Sequence, residues 1–560
     1  MGKAAFILIC LVSFSAPGQT PAPSSVSIEV NLSKSAGSYK PITNWFGYDE
    51  SNYTTMHYGE QLLGELHDLS PEPVTILAHH LLTSGTGVPE LKWSSSNVFH
   101  LDAKGKPVYD FTITDRTFDE FAKAGVRPMV ELGFMPKDLA AAVPGITEYQ
   151  LHFPAHTMGG ASNNPPKDYA LWGELVRRFT QHLVERYGRE QVSTWYFEVW
   201  NEPDIEYWHG TRAEYFKLYD YTAAGVRAAL RNAKVGGPAS TGPANAQASA
   251  FLESFLEHCL QDRSAADGRT IPLDFISFHP KGRPTFADGH VRMGLAHELQ
   301  AADEGFRIVA RHPELRQLPI ILSEADPEGC AACSAQENPA NGYRNGPLYA
   351  AYTATVVKAL FELQDRDDVN LAAMLSWSFE FEDAGYFEGF RTLATHGIDK
   401  PILNLFRMTG MMGGERVKTA STGAVPLDGL VANGVRKAPD VDALATKSQR
   451  QAAVLVWNYH DDDVSAPDAV AHLTIEGIPP EVKRAQLEEF RIDDAHSNAF
   501  TVWKQMGSPQ APTAEQYAQL QAAGQLELLT SPVWLDVTDG KATFATTLPR
   551  QAVSLLRLEW

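Results

Sequence analysis

The chain has 560 residues, of which 44% are apolar and 21% charged, and its formal net charge is −21. That length exceeds one ordinary domain and suits a large catalytic unit with a smaller companion. The acidic balance argues against nucleic acid or anionic lipid as a partner, because phosphate binding needs basic patches, and it is compatible with a neutral substrate.

Met1-Gly2-Lys3 carries one positive charge, and an apolar stretch from Ala4 to Val12 follows, then Ser13-Phe14-Ser15-Ala16. This order reads as an export signal over residues 1–22, so a periplasmic or secreted location is expected, with no membrane partner after export. The run is too short to span a bilayer. In residues 23–43, Val26, Ile28 and Val30 alternate with polar residues, as in a half-buried strand. From residue 44 to about 410, short apolar runs (128–132, 195–200, 273–278, 318–323 and 372–379) alternate with amphipathic stretches. Leu171, Leu175, Val176, Phe179, Leu183 and Tyr187 predict one helix, stopped by Gly188, and residues 348–363 a second. Strands alternating with helices imply parallel β/α units.

Glutamate, histidine and asparagine recur at the C-terminal ends of these runs, where a (β/α)8 barrel builds its site. A doubly wound sheet is the competing arrangement, but no Gly-rich nucleotide loop follows an early strand. After residue 410 the helical rhythm fades. Strands are expected at 453–457, 472–475, 487–492, 533–537 and 542–546, with a helical excursion at 514–524. Asp539-Gly540 signals a hairpin between the last two strands. The expected fold class is α/β: a (β/α)8 TIM barrel over residues 44–410 and a β-sandwich accessory domain over 411–560, joined by the strand in 23–43.

The chemistry concentrates at strand ends. A run of aromatic and apolar residues from Trp195 to Trp200 delivers Asn201 and Glu202, and Pro203 ends it. Glycoside cleavage needs a carboxylic acid to protonate the leaving oxygen and a donor beside the sugar 2-hydroxyl. Glu202 and Asn201 supply both. The second carboxylate is expected at Glu324, which closes the run 318–323. Asp326 competes, but it lies in the loop, where a side chain is held less firmly. His279 ends another strand and suits a sugar hydroxyl or the orientation of Glu324. His79, or its neighbour His80, ends an early strand. Trp377 suits stacking under a sugar ring or packing within the barrel. Glu380 and Glu382 follow it as further hydroxyl-binding candidates. Cys330 and Cys333 are expected to close a disulfide in an oxidising compartment. No second ligand pair supports a zinc site.

The barrel resembles glycoside hydrolase family 39, which contains β-xylosidases and α-L-iduronidases. The resemblance rests on the segments 124–136, Trp200-Asn201-Glu202-Pro203-Asp204, 274–279 and Ser323-Glu324-Ala325-Asp326-Pro327. It continues through 396–401, 491–498 and 503–509, and covers nearly the whole mature chain. It implies retention, with Glu202 as acid/base and Glu324 as nucleophile, and neither metal nor organic cofactor. Lys281 and Arg283, in a His-x-Lys-Gly context, resemble iduronidases. The export signal and the run 400–404 are more like bacterial β-xylosidases, which is the preferred activity. An arabinose-releasing enzyme and a carbohydrate-binding protein without catalysis are the alternatives. Oligomeric state is not legible.

Overall fold

In a computed structural model, residues 24–146, 148–149 and 160–560 are described. The expected export signal lies outside them. Among the described residues, no helix is long and apolar enough to cross a membrane.

Eight parallel strands form a closed barrel: β1 (Trp45–Tyr48), β2 (Thr75–Ala78), β3 (Arg127–Leu132), β4 (Tyr196–Val199), β5 (Lys234–Thr241), β6 (Phe275–His279), β7 (Pro319–Leu322) and β8, which runs in two pieces, Asn370–Met374 and Ser376–Trp377. Closure comes from Ser376 and Trp377, which pair with Phe46 and Gly47 of β1. A helix follows each strand. The helix Tyr169–Tyr187 begins where the Asp168 side chain accepts from Leu171 N–H and ends at Gly188, whose φ of 89° costs glycine no Cβ clash. Helix Arg212–Ala229 opens with a capping box between Thr211 and Glu214.

Alternation along the strands explains the barrel's layers. Side chains point inward at every second residue. Trp45, Leu77, Met129, Phe275, Ile321 and Ala373 come from six strands and pack into one apolar cluster with Tyr196, which only the barrel interior allows. Two residues further along, β2, β3, β4, β6 and β7 present His79, Glu131, Glu198, Ser277 and Ser323, a polar layer, whereas β1 has Gly47 and β8 the apolar Leu375. One more step reaches Asp49 and His279 at the C-terminal rim.

The strand Ser24–Ser38 pairs antiparallel with Glu415–Ser421 and parallel with Ala469–Glu476, placing it inside the second, largely antiparallel sheet. Val26, Ile28, Val30, Val454, Val456, Leu473, Leu556 and Leu558 fill the sandwich core. The intervening residues Leu444, Leu455, Trp457 and Leu555 belong to the barrel's cluster instead. The central strands are thus buried on both faces, and the sandwich is fixed to the barrel's flank. The hairpin expected around Asp539-Gly540 is corrected by the pairing. The turn is tight, with Thr538 and Lys541 exchanging both backbone hydrogen bonds. The flanking strands then diverge: Val533–Asp536 pairs with residues 484–487 and Lys541–Leu548 with Ala469–Glu476. Val533 and Trp534 stay about half exposed whereas Ala542 and Leu548 are buried, so the second strand enters the core more fully than the first, which packs Leu535 against it.

Candidate active site

β4 ends in Val199, and Trp200 and Glu202 both take positive φ, 68° and 43°. This bend lifts Glu202 over the rim, where its N–H donates to Ala239 O at 2.7 Å. Trp200 anchors the bend, since its indole N–H donates to Tyr207 O at 2.9 Å. Non-glycine residues hold such conformations only where the surroundings over-determine them, and these cluster at functional sites. From β7, Glu324 follows Ser323. From β6 comes His279, whose Nδ1 lies 3.0 Å from Glu202 Oε1 and 3.7 Å from Glu324 Oε1. Its Nε2 lies 3.1 Å from Ser323 Oγ. One oxygen of Glu202, one of Glu324 and one ring nitrogen of His279 all fall within 4.8 Å of one another. That spacing would admit a cation, but Lys281 Nζ already stands 2.7 Å from Glu324 Oε2.

The two carboxylates differ in setting. Burial alone would raise the Glu324 carboxyl, but Lys281, His279 and His79 outweigh it and hold Glu324 down to about 2. A carboxyl held that low is an anion at neutral pH. Glu202 keeps a partly exposed side chain, 14% against 8% for Glu324, so it faces the cleft more openly. Lys281 is fixed by a second contact, 3.0 Å to Asp326 Oδ2. Asp326 is fully buried and also accepts from Trp377 N–H at 3.1 Å and Tyr349 O–H at 3.3 Å, with Arg391 at 3.6 Å. Every oxygen of Asp326 is engaged in holding β6, β7 and β8 together. Glu324, not Asp326, therefore presents a carboxylate to the opening.

His79 sits between Asp49 Oδ1 at 3.1 Å and Glu131 Oε2 at 3.9 Å. Burial opposes its charge, but Glu131, Asp49 and Glu324 raise it to about 9, so it is a cation. His80, with φ of 61°, packs against Trp93 and Phe134 with its Nε2 3.7 Å from Asp49 Oδ1, and burial lowers it to about 4. Asn201 is buried and its Oδ1 meets no partner among the described residues, an acceptor left for a ligand. Trp377 is only 2% exposed and packs over Gly47, with its ring 4.2 Å from that of His79. It belongs to the apolar cluster beneath the rim. Glu382 is not brought to the carboxylate pair: its Oε2 accepts from Tyr58 N–H at 3.1 Å, at the start of helix His57–His67. Glu380 is likewise spent on Gly397 N–H, and Arg283 is exposed on the outer rim. Cys330 and Cys333 are joined by a disulfide, and buried Arg344 donates to both their carbonyl oxygens at 2.6 Å.

Several polar residues of the site escape a reading of strand ends. Asp49 follows β1, and Lys92, 43 residues later, returns to it with Nζ 2.9 Å from Oδ2. Glu50 beside them accepts Lys92 N–H, and burial with the Asp49 charge raises it to about 8. Glu131 and Glu198 are wholly buried in the polar layer, in register across β3 and β4. Burial, partly opposed by His79, raises Glu131 to about 7. A glutamate inside an otherwise apolar run, at the same parity as the rim residues, was the available signal.

A barrel whose rim pairs two carboxylates, one held ionised, has the makings of a glycoside hydrolase. The family model for glycosyl hydrolases family 39 matches residues 93–533, and the chain belongs to that family. It is 28% identical over 461 residues to a β-xylosidase of Caldicellulosiruptor saccharolyticus, covering 80% of this chain and 83% of that one. It is 26% identical over 381 residues to the α-L-iduronidase of Mus musculus, covering 62% and 56%. Its fold matches the crystal structure of a monomeric β-xylosidase from Caulobacter crescentus with a TM-score of 0.72 at 22% identity, covering 95% of this chain and 99% of that one.

Proposed function

We infer that this glycoside hydrolase works with retention and releases xylose from xylo-oligosaccharides as a β-xylosidase. The observation that carries retention is the spacing: one oxygen of Glu202 and one of Glu324 lie within 4.8 Å of each other. Retaining enzymes hold the two carboxyls about 5–5.5 Å apart, whereas inverting enzymes leave about 6.5–9.5 Å for a water. Glu324, ionised and fixed by Lys281, attacks the anomeric carbon. Glu202 donates its proton to the glycosidic oxygen as the C–O bond breaks, and the alcohol leaves. Glu202 then takes a proton from water, whose oxygen attacks the anomeric carbon and frees Glu324. His279 bridges the pair and holds Glu202 toward the bond to be broken. Asn201 offers its amide to the sugar.

A neutral sugar suits the electrostatics. Lys281 and Lys92 are both committed to carboxylates at 2.7–3.0 Å, so a uronate would enter a cleft lined by Asp49, Glu202 and Glu324 with those two cations already neutralised. The β-xylosidase relatives, matched over more of the chain than the iduronidases, support the same choice. The iduronidase reading keeps one supporting feature, the exposed Arg283 next to Lys281. The residues 1–22 read as an export signal, which supports action in the periplasm or outside the cell. Nitrophenyl xyloside, arabinoside, iduronide and glucoside tested side by side decide the sugar: xyloside is expected to be fastest. A 2-deoxy-2-fluoro-xyloside is expected to label Glu324. Labelling of Asp326, or no covalent adduct with turnover intact, would overturn the assignment.

A further inference from the structure

A second polar cleft, of about 430 Å³, lies where the barrel meets the sandwich. The barrel contributes Tyr343 and the start of helix Pro347–Asp367, and the sandwich contributes Asp463, Phe500, Lys504 and Arg550. That helix begins beyond the loop that leaves β7, so the cleft is on the same end of the barrel as Glu202 and Glu324. Tyr343 also ties the two regions together: its hydroxyl donates to Glu328 Oε1 at 2.8 Å, and Glu328 pairs with Arg391, which reaches Asp326.

Several charges around the cleft lack an ion-pair partner, although Lys504 Nζ lies 4.5 Å over the Phe500 ring. Arg550 has Nε and Nη1 buried with no hydrogen-bond partner. Among the described residues, no ion pair engages Asp463, Asp468, Asp494, Lys504 or Arg550, although all five line the same space. Asp463 feels Asp494, Lys504 and Arg550 across it, at distances too long for contact. Buried polar groups are ordinarily satisfied, and an orphaned guanidinium nitrogen calls for a partner. The lining selects which. An anion would face three aspartates, and a cation would face Lys504 and Arg550. A neutral polyhydroxylated molecule meets both, because each hydroxyl donates to a carboxylate and accepts from a guanidinium or ammonium group.

We propose that this junction cleft is a second carbohydrate-binding site, which holds a neutral oligosaccharide away from the catalytic pair. The inference rests on the unpaired groups of the cleft and on family membership, not on the choice of xylose. The test is hydrogen–deuterium exchange on the full chain carrying Glu324→Gln, with xylohexaose, cellohexaose and an arabino-oligosaccharide as probes. At least one sugar is expected to slow exchange in segments 463–468 and 498–504, and adding Arg550→Met, or separately Lys504→Met, removes that protection. In the otherwise unaltered enzyme, Arg550→Met is expected to raise KM for the hexasaccharide at least threefold while leaving aryl-glycoside turnover unchanged. No protection of these segments by any of the three sugars overturns the proposal, as does equal protection by sodium phosphate. Failure to hydrolyse any xyloside, with the cleft still protected, would sink the xylosidase reading and leave this one standing.

Discussion

Lys281→Met tests the electrostatic logic of the centre most directly. The ammonium is 2.7 Å from Glu324 Oε2, which at an effective dielectric of about 20 is worth about 6 kcal/mol. Asp326 shares the same ammonium and burial opposes the charge, so less than this survives. Holding Glu324 at about 2 instead of 4.5 corresponds to about 3 kcal/mol. Removing Lys281 leaves His279 and His79 as the remaining cations, and burial then pushes the Glu324 carboxyl upward. The acid limb of kcat/KM reports the ionisation of the nucleophile in the free enzyme. In the parent it falls at about pH 2, outside an ordinary assay; in Lys281→Met it is expected to appear one to two pH units higher or more. For a limb at about pH 4 the loss is about fourfold at pH 3.5, about twofold at pH 4 and negligible at pH 7, where Glu324 stays ionised. The sign for stability agrees. A depressed carboxyl contributes stability that is present above about 4.5 and lost as pH falls toward about 2, and the variant lacks it. The assay is kcat/KM for nitrophenyl xyloside from pH 3.5 to 8. A uniform loss at every pH, with no new acid limb, would refute the reasoning.

Glu202→Ala is expected to slow substrates with poor leaving groups far more than activated aryl xylosides. Added azide should restore turnover and yield a β-xylosyl azide; equal losses on all substrates would remove Glu202 from the acid/base role. Glu131 is raised to about 7 by burial, so its ionisation destabilises the fold as pH rises from about 4.5 to about 7. Glu131→Gln should therefore gain melting temperature relative to the parent across that window, and a pH-independent difference would contradict it. The Cys330–Cys333 bridge spans three residues, so its removal by Cys330→Ser with Cys333→Ser should cost at most about 2 kcal/mol. Intact mass of exported protein with and without reduction checks the bond itself, and two freely alkylated thiols would deny it.

The barrel and the carboxylate pair are legible in the sequence for one reason. A β/α barrel places its site at strand ends, and a polar residue that closes an apolar run marks a strand end without any knowledge of distant contacts. Glu202, His279 and Glu324 all carry that mark, and Lys281 follows His279 by two residues. The limit of the rule is that it gives position along the strand and not direction. Trp377 and Glu382 lie near the end of β8 just as legibly, yet Trp377 points down onto Gly47 and the chain beyond it carries Glu382 to the head of helix His57–His67. His79 and His80 are adjacent and both approach Asp49, and only the backbone turn at His80 separates the residue that also meets Glu131 from the one that packs on Trp93.

What the strand-end rule misses is the set of groups that act on the site from elsewhere. Lys92 reaches Asp49 from a loop after β2, through a backbone turn with φ of 73°, and no periodicity announces such a return. Glu131 and Glu198 were readable in principle, because a glutamate within an apolar strand has to be satisfied by something inside the barrel. Reading them requires knowing which strands are neighbours: Glu131 is neutral or charged according to His79 on β2, and Glu198 faces His279 and the Ser277 and Ser323 hydroxyls from β6 and β7. The identity of the two reacting acids is thus a local property of two strands. The ionisation of Glu324 is a property of the closed barrel, set by cations that two other segments, the end of β6 and the end of β2, bring within reach of it. That division explains why the roles of Glu202 and Glu324 follow from short motifs, whereas the pH dependence of the enzyme follows only from the three-dimensional arrangement of Lys281, His279 and His79.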